Sequence, residues 1–205
     1  MSETSKQSIV RRPSPSEVAA TFSAYVAAVG KVAHSWNYLL EEFRDLFIAV
    51  SGANEKVAAS VWYAPDNDRI QLLMLKSAIL ATPSDAWSHI NAKVKEDLIF
   101  VTDAAINLHD MRNNAIHAPC SLYTDADGTS VASSFLSGNK RAQKLRGKEI
   151  LVEFDWCERW AERLSIFVYN SVAAIMVSGV PWPERPVKPD RKRKNDLQVP
   201  PHLTL

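Results

Sequence analysis

The sequence predicts a mainly α-helical fold: a helical bundle of three long and two shorter helices with a small β-hairpin insert. Two observations favour helices over sheets. Apolar residues recur three and four positions apart along most of the 205 residues, which is the period of one helix face. The chain also holds only 6 glycines, which is few for the many tight turns of a β-barrel or β-sandwich. With 46% hydrophobic and 23% charged residues, one packed core is expected.

The first three helices have clear start signals. Ser14-Pro15-Ser16-Glu17 is a capping box with proline at the first helical position, and the apolar period that follows predicts a long helix ending near Ser51-Gly52. A short helix is predicted from Asn54 to Trp62, and another from Asp66–Asp68 to Leu80, because both begin at residues that cap helices.

A second long helix is predicted after Thr82-Pro83-Ser84, which breaks the preceding run. Its apolar period continues to about His117. The helix should stop there, because Pro119 disfavours helical geometry at the residue before it.

A β-hairpin is predicted at about 120–136, around the acidic turn Asp125-Ala126-Asp127-Gly128. Its two aspartates resemble metal ligands, but a turn is the better interpretation of this sequence. A basic connector follows, and Asp155 is predicted to cap the last long helix, which runs to about Ser178.

The two ends of the chain are predicted to lie outside the bundle of residues 14–180. Residues 1–13 form a disordered N-terminal arm in this interpretation, and residues 181–205 form a disordered, proline-rich, basic tail with six of the eleven prolines. Five tryptophans on apolar stripes are predicted to be core residues: Trp36, Trp62, Trp87, Trp156 and Trp160. The sixth, Trp182, would either fold back as an anchor or meet a partner.

Charge and cysteine content limit the function classes. The net charge is +1, but residues 17–182 hold 15 Lys+Arg against 19 Asp+Glu, a balance of −4. A dedicated DNA-binding domain would carry its basic charge on the folded part instead. Two cysteines cannot form a disulfide framework, so a reducing cytoplasm is expected. The longest apolar stretch, Leu164–Val180, is too short and polar to span a bilayer, and no export signal precedes the bundle, so we expect no membrane association.

Familiar nucleotide-binding, hydrolase and metal motifs are absent from the sequence. It has no CxxC pair for a zinc ribbon, and its five histidines include no pair at i, i+4 spacing. His109 and His117 lie two helical turns apart, too far to share one metal ion. We therefore expect neither a metal nor another cofactor.

One segment of the second long helix stands out because it reads RNxxxH. Arg112 and Asn113 precede His117 near the end of the helix. Requiring Asn directly after Arg at this spacing lowers the chance expectation to on the order of 0.015 per chain. The segment resembles the signature of the HEPN superfamily (higher eukaryotes and prokaryotes nucleotide-binding), whose members are α-helical bundles. The segment Trp36–Glu41 and the predicted hairpin also resemble a group of uncharacterised prokaryotic helical proteins related to it.

The resemblance implies a metal-independent endoribonuclease, in a toxin or defence role. RNA would be cleaved by attack of the 2′-OH on the adjacent phosphorus, with His117 transferring a proton and Arg112 binding the phosphoryl oxygens. Asn113 would orient the backbone or hydrogen-bond the phosphate. It also implies a homodimer whose two motifs form one cleft, and a nucleotidyltransferase or an antitoxin as a further partner. The basic connector would contact RNA phosphates or be a solvated surface; its cations are Lys140, Arg141, Lys144, Arg146 and Lys148.

Helix geometry supplies a test of the motif. Five residues place Arg112 and His117 about 140° apart around an ideal helix, so a shared site within one chain needs the helix to unwind or bend between them, or the long Arg112 side chain to wrap around it. The helix dipole favours the charged form of a histidine at this end. Three other interpretations remain open. Arg112 could pair with Asp110 or a glutamate while His117 caps carbonyls, the motif could serve dimer packing in a non-catalytic interaction module, or the chain could bind a nucleotide.

Overall fold

The computed structural model describes residues 14–83, 85–125, 128–133 and 138–191. Within these residues the chain forms six helices and one antiparallel two-stranded sheet, which confirms the predicted fold class. The elements are α1 (Pro15–Ser51), α2 (Glu55–Trp62), α3 (Asp68–Ala81), α4 (Val94–His117), β1 (Cys120–Asp125), β2 (Gly128–Ser133), α5 (Lys140–Leu145) and α6 (Ile150–Met176). The predicted arm at residues 1–13 lies outside the described residues, as do positions 192–205 of the predicted tail.

The first three helices begin where their caps predict. The backbone N–H of Ser14 donates to the Glu17 carboxylate at 2.8 Å, and the Glu17 N–H donates to the Ser14 hydroxyl at 3.3 Å. This reciprocal pair is the predicted capping box. The side chains of Asn54 and Asn67 each accept from the backbone N–H two residues later, at 3.0 and 2.8 Å. Gly52, with φ +61°, follows the last residue of α1 and reverses the chain there.

The predicted start of the second long helix is wrong. Helix α4 begins at Val94 rather than after Pro83, and residues 85–93 form successive turns. In one of them the Ile90 N–H donates to the Trp87 carbonyl at 2.9 Å. The Asn91 side chain accepts from the backbone N–H two residues later at 2.9 Å, a local bond that competes with a continuous helix just before α4.

The predicted start of the last helix is also wrong, by six residues. Helix α6 begins at Ile150, so Asp155 lies within it instead of capping it. Gly147, with φ +72°, turns the chain just ahead of the helix. The Glu153 N–H already donates to the Glu149 carbonyl at 3.0 Å, which places the first helical bond before Asp155.

Contacts within the chain group it into two compact units. The first unit comprises Met1–Lys31, Asn113–Asp155 and Arg191–Leu205. It holds the β-hairpin, whose register runs from the Cys120–Ser133 pair to the Asp125–Gly128 pair and agrees with the predicted acidic turn. The apolar residues buried in this unit include Ala115, Ala142, Leu145, Ile150, Val152 and Phe154.

The second unit comprises Val32–Arg112 and Trp156–Asp190. Its core takes apolar residues from five helices, at the helical spacing that the sequence shows: Val32, Trp36, Leu39, Phe43 and Leu46 from α1, Trp62 from α2, Leu72, Leu75 and Ile79 from α3, Leu98, Val101, Ala105 and Leu108 from α4, and Trp160, Leu164, Phe167 and Val168 from α6. The five tryptophans predicted to be core residues are all buried, which confirms that interpretation.

The segment after α6 differs from the predicted disordered tail. Residues 181–190, which we call the strap, belong to the second unit and pack against α4 and α6 without forming a helix or strand. The indole N–H of Trp182 donates to the Asp97 carboxylate at 2.9 Å, and Nε of Arg185 donates to the same carboxylate at 2.6 Å. Of the two roles open for Trp182, folding back as an anchor is the observed one. Composition alone indicated disorder because these partners lie more than 80 residues away in the sequence.

Candidate functional site

The RNxxxH motif lies on an unbroken helix. Helix α4 stays helical through His117, and the Ala118 N–H still donates to the Asn114 carbonyl at 3.0 Å. The helix therefore does not unwind between Arg112 and His117. On this helix the Arg112 and His117 side chains leave the axis about 140° apart. The boundary between the two units falls within the motif, after Arg112.

Arg112 is held within the second unit by a carboxylate and an aromatic ring. Its Nη1 lies 3.6 Å from Oδ2 of Asp68, the first residue of α3. Its guanidinium also lies over the Trp36 ring at 5.9 Å from the centroid, a cation–π arrangement. The Arg112 side chain is 20% exposed. The structure thus pairs Arg112 with Asp68, a carboxylate that the sequence did not suggest for it.

Asp68 joins three helices. Oδ2 of Asp68 accepts the indole N–H of Trp36 at 2.8 Å, in addition to facing Arg112. Because Trp36 lies on α1 and Arg112 on α4, one carboxylate at the start of α3 fixes a side chain from each of the other two. The sequence analysis assigned Asp68 only to a helix start. A single aspartate before a helix carries no signal that distinguishes this second role.

His109 also contacts Trp36 within this polar group. Its ring is 5.8 Å from the Trp36 ring, and its Nδ1 lies 3.6 Å from Oδ1 of Asp110. Burial lowers the pKa of His109 below its ordinary value, an effect that the nearby Asp68 and Asp110 carboxylates partly oppose. Asp110 in turn lies 3.7 Å from Arg69. These residues form a polar group around Trp36.

The other two motif residues lie in the first unit and have different environments. Asn113 is buried, with 8% of its surface exposed, whereas His117 is exposed at the last turn of α4. An exposed imidazole at a helix C-terminus can reach a substrate and can exchange protons with water. A buried amide instead holds the local backbone.

The basic connector contains a short helix that the sequence analysis did not predict. Asn139 caps α5, and its side chain accepts from two backbone N–H groups at 2.8 and 3.3 Å. The apolar face of α5, Ala142 and Leu145, is buried, and the helix contacts β2. Four of the five predicted RNA-contacting cations are exposed: Lys140, Lys144, Arg146 and Lys148; Arg141 is half-buried. Lys148 lies 3.5 Å from Glu153, which reduces its availability to a phosphate.

A cavity of about 550 Å³ opens in the second unit beside Asp68. Side chains of α1 line one wall, including His34, Asn37, Tyr38 and Glu41, and Tyr63 faces them. The Tyr63 hydroxyl donates to the Glu41 carboxylate at 2.8 Å. The cavity therefore offers aromatic rings and hydrogen-bonding groups close to the carboxylate that holds Arg112.

Comparisons with known proteins add no relative: no family model, no curated protein and no solved structure matches the chain. The resemblance to the HEPN superfamily therefore depends on the motif and the helical fold. Among the residues that the structure describes, no group of three or more histidine, cysteine, aspartate or glutamate side chains could hold a metal ion. In the same residues no helix has both the length and the hydropathy to cross a bilayer.

Proposed function

We propose that this protein is an endoribonuclease of the HEPN type that cleaves RNA without a metal ion. The observation that carries the proposal is the RNxxxH sequence at the C-terminal end of α4, with His117 exposed at the last turn. A histidine is the side chain best suited to transfer protons near neutral pH. A half-buried arginine beside an aromatic ring can present a preoriented guanidinium to a phosphate.

The proposed reaction needs only proton transfer and charge stabilisation. The 2′-oxygen of a ribose attacks the adjacent phosphorus while its proton passes to a base, and the bond from phosphorus to the 5′-oxygen breaks as that oxygen gains a proton. The products are a 2′,3′-cyclic phosphate and a 5′-hydroxyl. His117 transfers a proton at one of the two oxygens, and Arg112 stabilises the charge on the phosphoryl oxygens.

The helix geometry favours two copies of the chain in this reaction. Because Arg112 and His117 leave α4 about 140° apart, one chain brings both to the same phosphate only if its helix bends or the long arginine side chain wraps around it. In an isologous dimer, Arg112 of one copy and His117 of the other can face one phosphate. The exposed cations of the basic connector, such as Lys140 and Lys144, would then bind the flanking phosphates.

Cleavage of a mixed-sequence RNA in excess EDTA tests the proposal. We expect cleavage by the wild-type protein and losses of at least about 100-fold in both Arg112→Ala and His117→Ala, the range for removing a proton-transfer group or a charge stabiliser. His89→Ala is the matched control, since His89 is equally exposed but lies outside the motif. If Arg112 and His117 act from different copies, mixing the two inactive variants restores part of the activity. Cleavage that is absent in the wild type, or unchanged in both variants, contradicts the proposal.

A second candidate function is a non-catalytic, dimeric interaction module. The contact of Arg112 with Asp68 and Trp36 favours it, because this contact gives the arginine a structural role within one chain. In this case Arg112→Ala weakens dimerisation or lowers the melting temperature and changes no turnover. Sedimentation equilibrium of the variant separates the two functions. Calorimetric titration with ATP tests the related hypothesis of a nucleotide-sensing module.

A further inference from the structure

The cavity beside Asp68 is formed within the second unit by polar and aromatic side chains. Its volume of about 550 Å³ lies in the range of pockets that bind small ligands. One wall is a single face of α1, because residues at i, i+3, i+4 and i+7 lie on the same side of a helix: His34, Asn37, Tyr38 and Glu41. From α3, Asp68 and Gln71 line the cavity, again three positions apart. All of these residues belong to one compact unit, so the cavity is a feature of that unit alone.

One aromatic ring of the cavity is exposed but held in place. Tyr63 is 52% exposed, and its hydroxyl donates to the Glu41 carboxylate at 2.8 Å and accepts from Nη1 of Arg44 at 3.2 Å. The same Nη1 donates to Glu41 at 2.6 Å, so the three side chains fix one another. A ring that is exposed to solvent and held at its hydroxyl is a preorganised surface on which a planar ligand can stack.

Two oxygen atoms on α3 border the cavity and accept no hydrogen bond from the described residues. Gln71 is only 9% exposed, and its Nε2 donates to the Trp62 carbonyl at 3.0 Å, which leaves Oε1 for water or a ligand. Oδ2 of Asp68 accepts from Trp36 and faces Arg112, whereas Oδ1 has no bond in the described part of the chain. Side chains three positions apart on a helix have Cβ atoms about 5–6 Å apart. The two oxygens can therefore accept from neighbouring N–H groups of one ligand.

The carboxylates around the cavity already have arginine partners. Glu41 pairs with Arg44 at 2.6 Å, and Asp68 lies 3.6 Å from Arg112, so an organic cation would meet charges that are already balanced. A phosphate would be repelled by the same carboxylates, and among the described residues that line the cavity none is a lysine or an arginine. The cavity therefore favours a neutral, planar ligand that carries N–H donors.

Guanine is the ring of RNA that matches these groups. It presents N–H donors on two neighbouring atoms, N1 and N2, whereas adenine and cytosine each carry one amino group and uracil one ring N–H. The paired donors of guanine match the two oxygens on α3. On the α1 wall, the exposed Asn37 amide, which has no partner among the described residues, can donate to O6 of the base. Single-stranded RNA bases are recognised in this way, by stacking on an aromatic ring and by hydrogen bonds to the Watson–Crick edge.

We propose that this cavity binds the guanine base of an RNA nucleotide, stacked on Tyr63, with its N1–H and N2–H groups donating to Asp68 and Gln71. The inference rests on the proposed ribonuclease function for the choice of RNA as the source of the base. Because Asp68 also faces Arg112, a base bound beside Asp68 brings the phosphate of the same nucleotide close to that arginine. Cleavage next to guanosine is the expected consequence.

Calorimetric titration of the full chain with nucleoside monophosphates tests the base pocket without any cleavage. Guanosine monophosphate (GMP) is compared with the adenosine, cytidine and uridine monophosphates and with inosine monophosphate (IMP). IMP has the ring and phosphate of GMP but lacks the 2-amino group. We expect GMP to bind at least about 10-fold more tightly than each of the others, because a lost bond leaves a buried acceptor unpaired. GMP that binds no more tightly than IMP overturns the proposal.

Variants of Tyr63 test the stacking ring. Tyr63→Leu removes the ring, and we expect GMP affinity to fall by about 5-fold to 100-fold, the range for base–aromatic stacking. Tyr63→Phe keeps the ring and should retain most of the affinity. Tyr169→Leu is the matched control, since Tyr169 is 62% exposed but does not line the cavity. Equal GMP affinities of Tyr63→Leu and Tyr169→Leu contradict the proposal. The comparison of GMP with IMP needs no variant, so it decides the question even where a substitution disturbs folding.

Cleavage products separate this inference from the proposed ribonuclease function. The substrate is an RNA oligonucleotide with one guanosine in an otherwise uridine sequence, incubated with the protein in EDTA. We expect breaks next to guanosine and fewer breaks when inosine replaces it. Cleavage without preference for guanosine would support the ribonuclease and overturn the guanine pocket. Selective GMP binding without cleavage of any RNA would support the pocket and contradict the ribonuclease.

Discussion

The buried carboxylate of Asp97 is predicted to contribute far more to stability than its neighbour Glu96, although both pair with Arg185. Asp97 has 5% of its side chain exposed and accepts bonds from Trp182 and Arg185, whereas Glu96 has 70% exposed. Replacing Asp97 with asparagine removes the charge but preserves the shape. A hydrogen bond to a charged group contributes about 1.5–3 kcal/mol. Because the Arg185 side chain is 37% exposed, water screens the pair, and we expect a loss of about 2 kcal/mol.

Urea denaturation of Asp97→Asn and Glu96→Gln measures this difference. For a chain of this size, about 2 kcal/mol corresponds to a decrease of about 4–8 °C in melting temperature. Glu96→Gln should lose less than about 0.5 kcal/mol, as exposed ion pairs do. Both residues lie in the first turn of α4, so the helix dipole affects them alike and cancels in the comparison. Equal losses in the two variants would refute the reasoning, because burial would then not decide the strength of the pair.

Two further predictions concern the polar group around Trp36. Arg112→Met keeps much of the side-chain length but removes the ion pair with the half-buried Asp68. We expect the free energy of unfolding in urea to fall by about 1–2 kcal/mol. A double-mutant cycle with Asp68→Asn should show coupling, and strictly additive losses would contradict the pairing. Burial lowers the pKa of His109, so the unfolded chain binds this proton more readily than the folded one. The contribution of His109 to the free energy of unfolding is therefore complete above a pH of about 6.5. It decreases as the pH falls from there toward the lowered pKa of the folded state. His109→Gln should lose less stability than the wild type between pH 7 and pH 5, and equal losses would contradict the burial effect.

Local signals in the sequence predicted much of the fold. The capping box at Ser14 and the side chains of Asn54 and Asn67 act within three residues of themselves, so the sequence around them determines where α1, α2 and α3 begin. The apolar period likewise identified the buried tryptophans. The start of α4 was wrong because proline and serine at 83–84 satisfy the same start rules as a true cap. The Asn91 turn that precedes Val94 is an equally local feature. Local sequence patterns do not distinguish a helix start at residues 83–84 from one after Asn91.

The environment of the candidate site was harder to predict, because it depends on residues that are distant in the sequence. Arg112 and His117 are recognisable from their spacing, but the partner of Arg112 lies 44 positions earlier, at the start of α3. The strap illustrates the same limit. Its composition indicates disorder, and only the positions in space of Asp97 on α4 and Trp156 on α6 give it a binding surface.

The order of residues in the strap has a practical consequence for digestion experiments. Arg185 and Lys188, its two basic side chains, are each followed directly by proline, and trypsin does not cleave such bonds. Trypsin consequently does not cleave this segment, whether it is bound to α4 and α6 or detached from them. An endopeptidase that cuts after glutamate has a cleavable bond at Glu184, between two of the strap prolines. The rate of that cut reports how often this part of the strap leaves α4, where Arg185 pairs with Asp97.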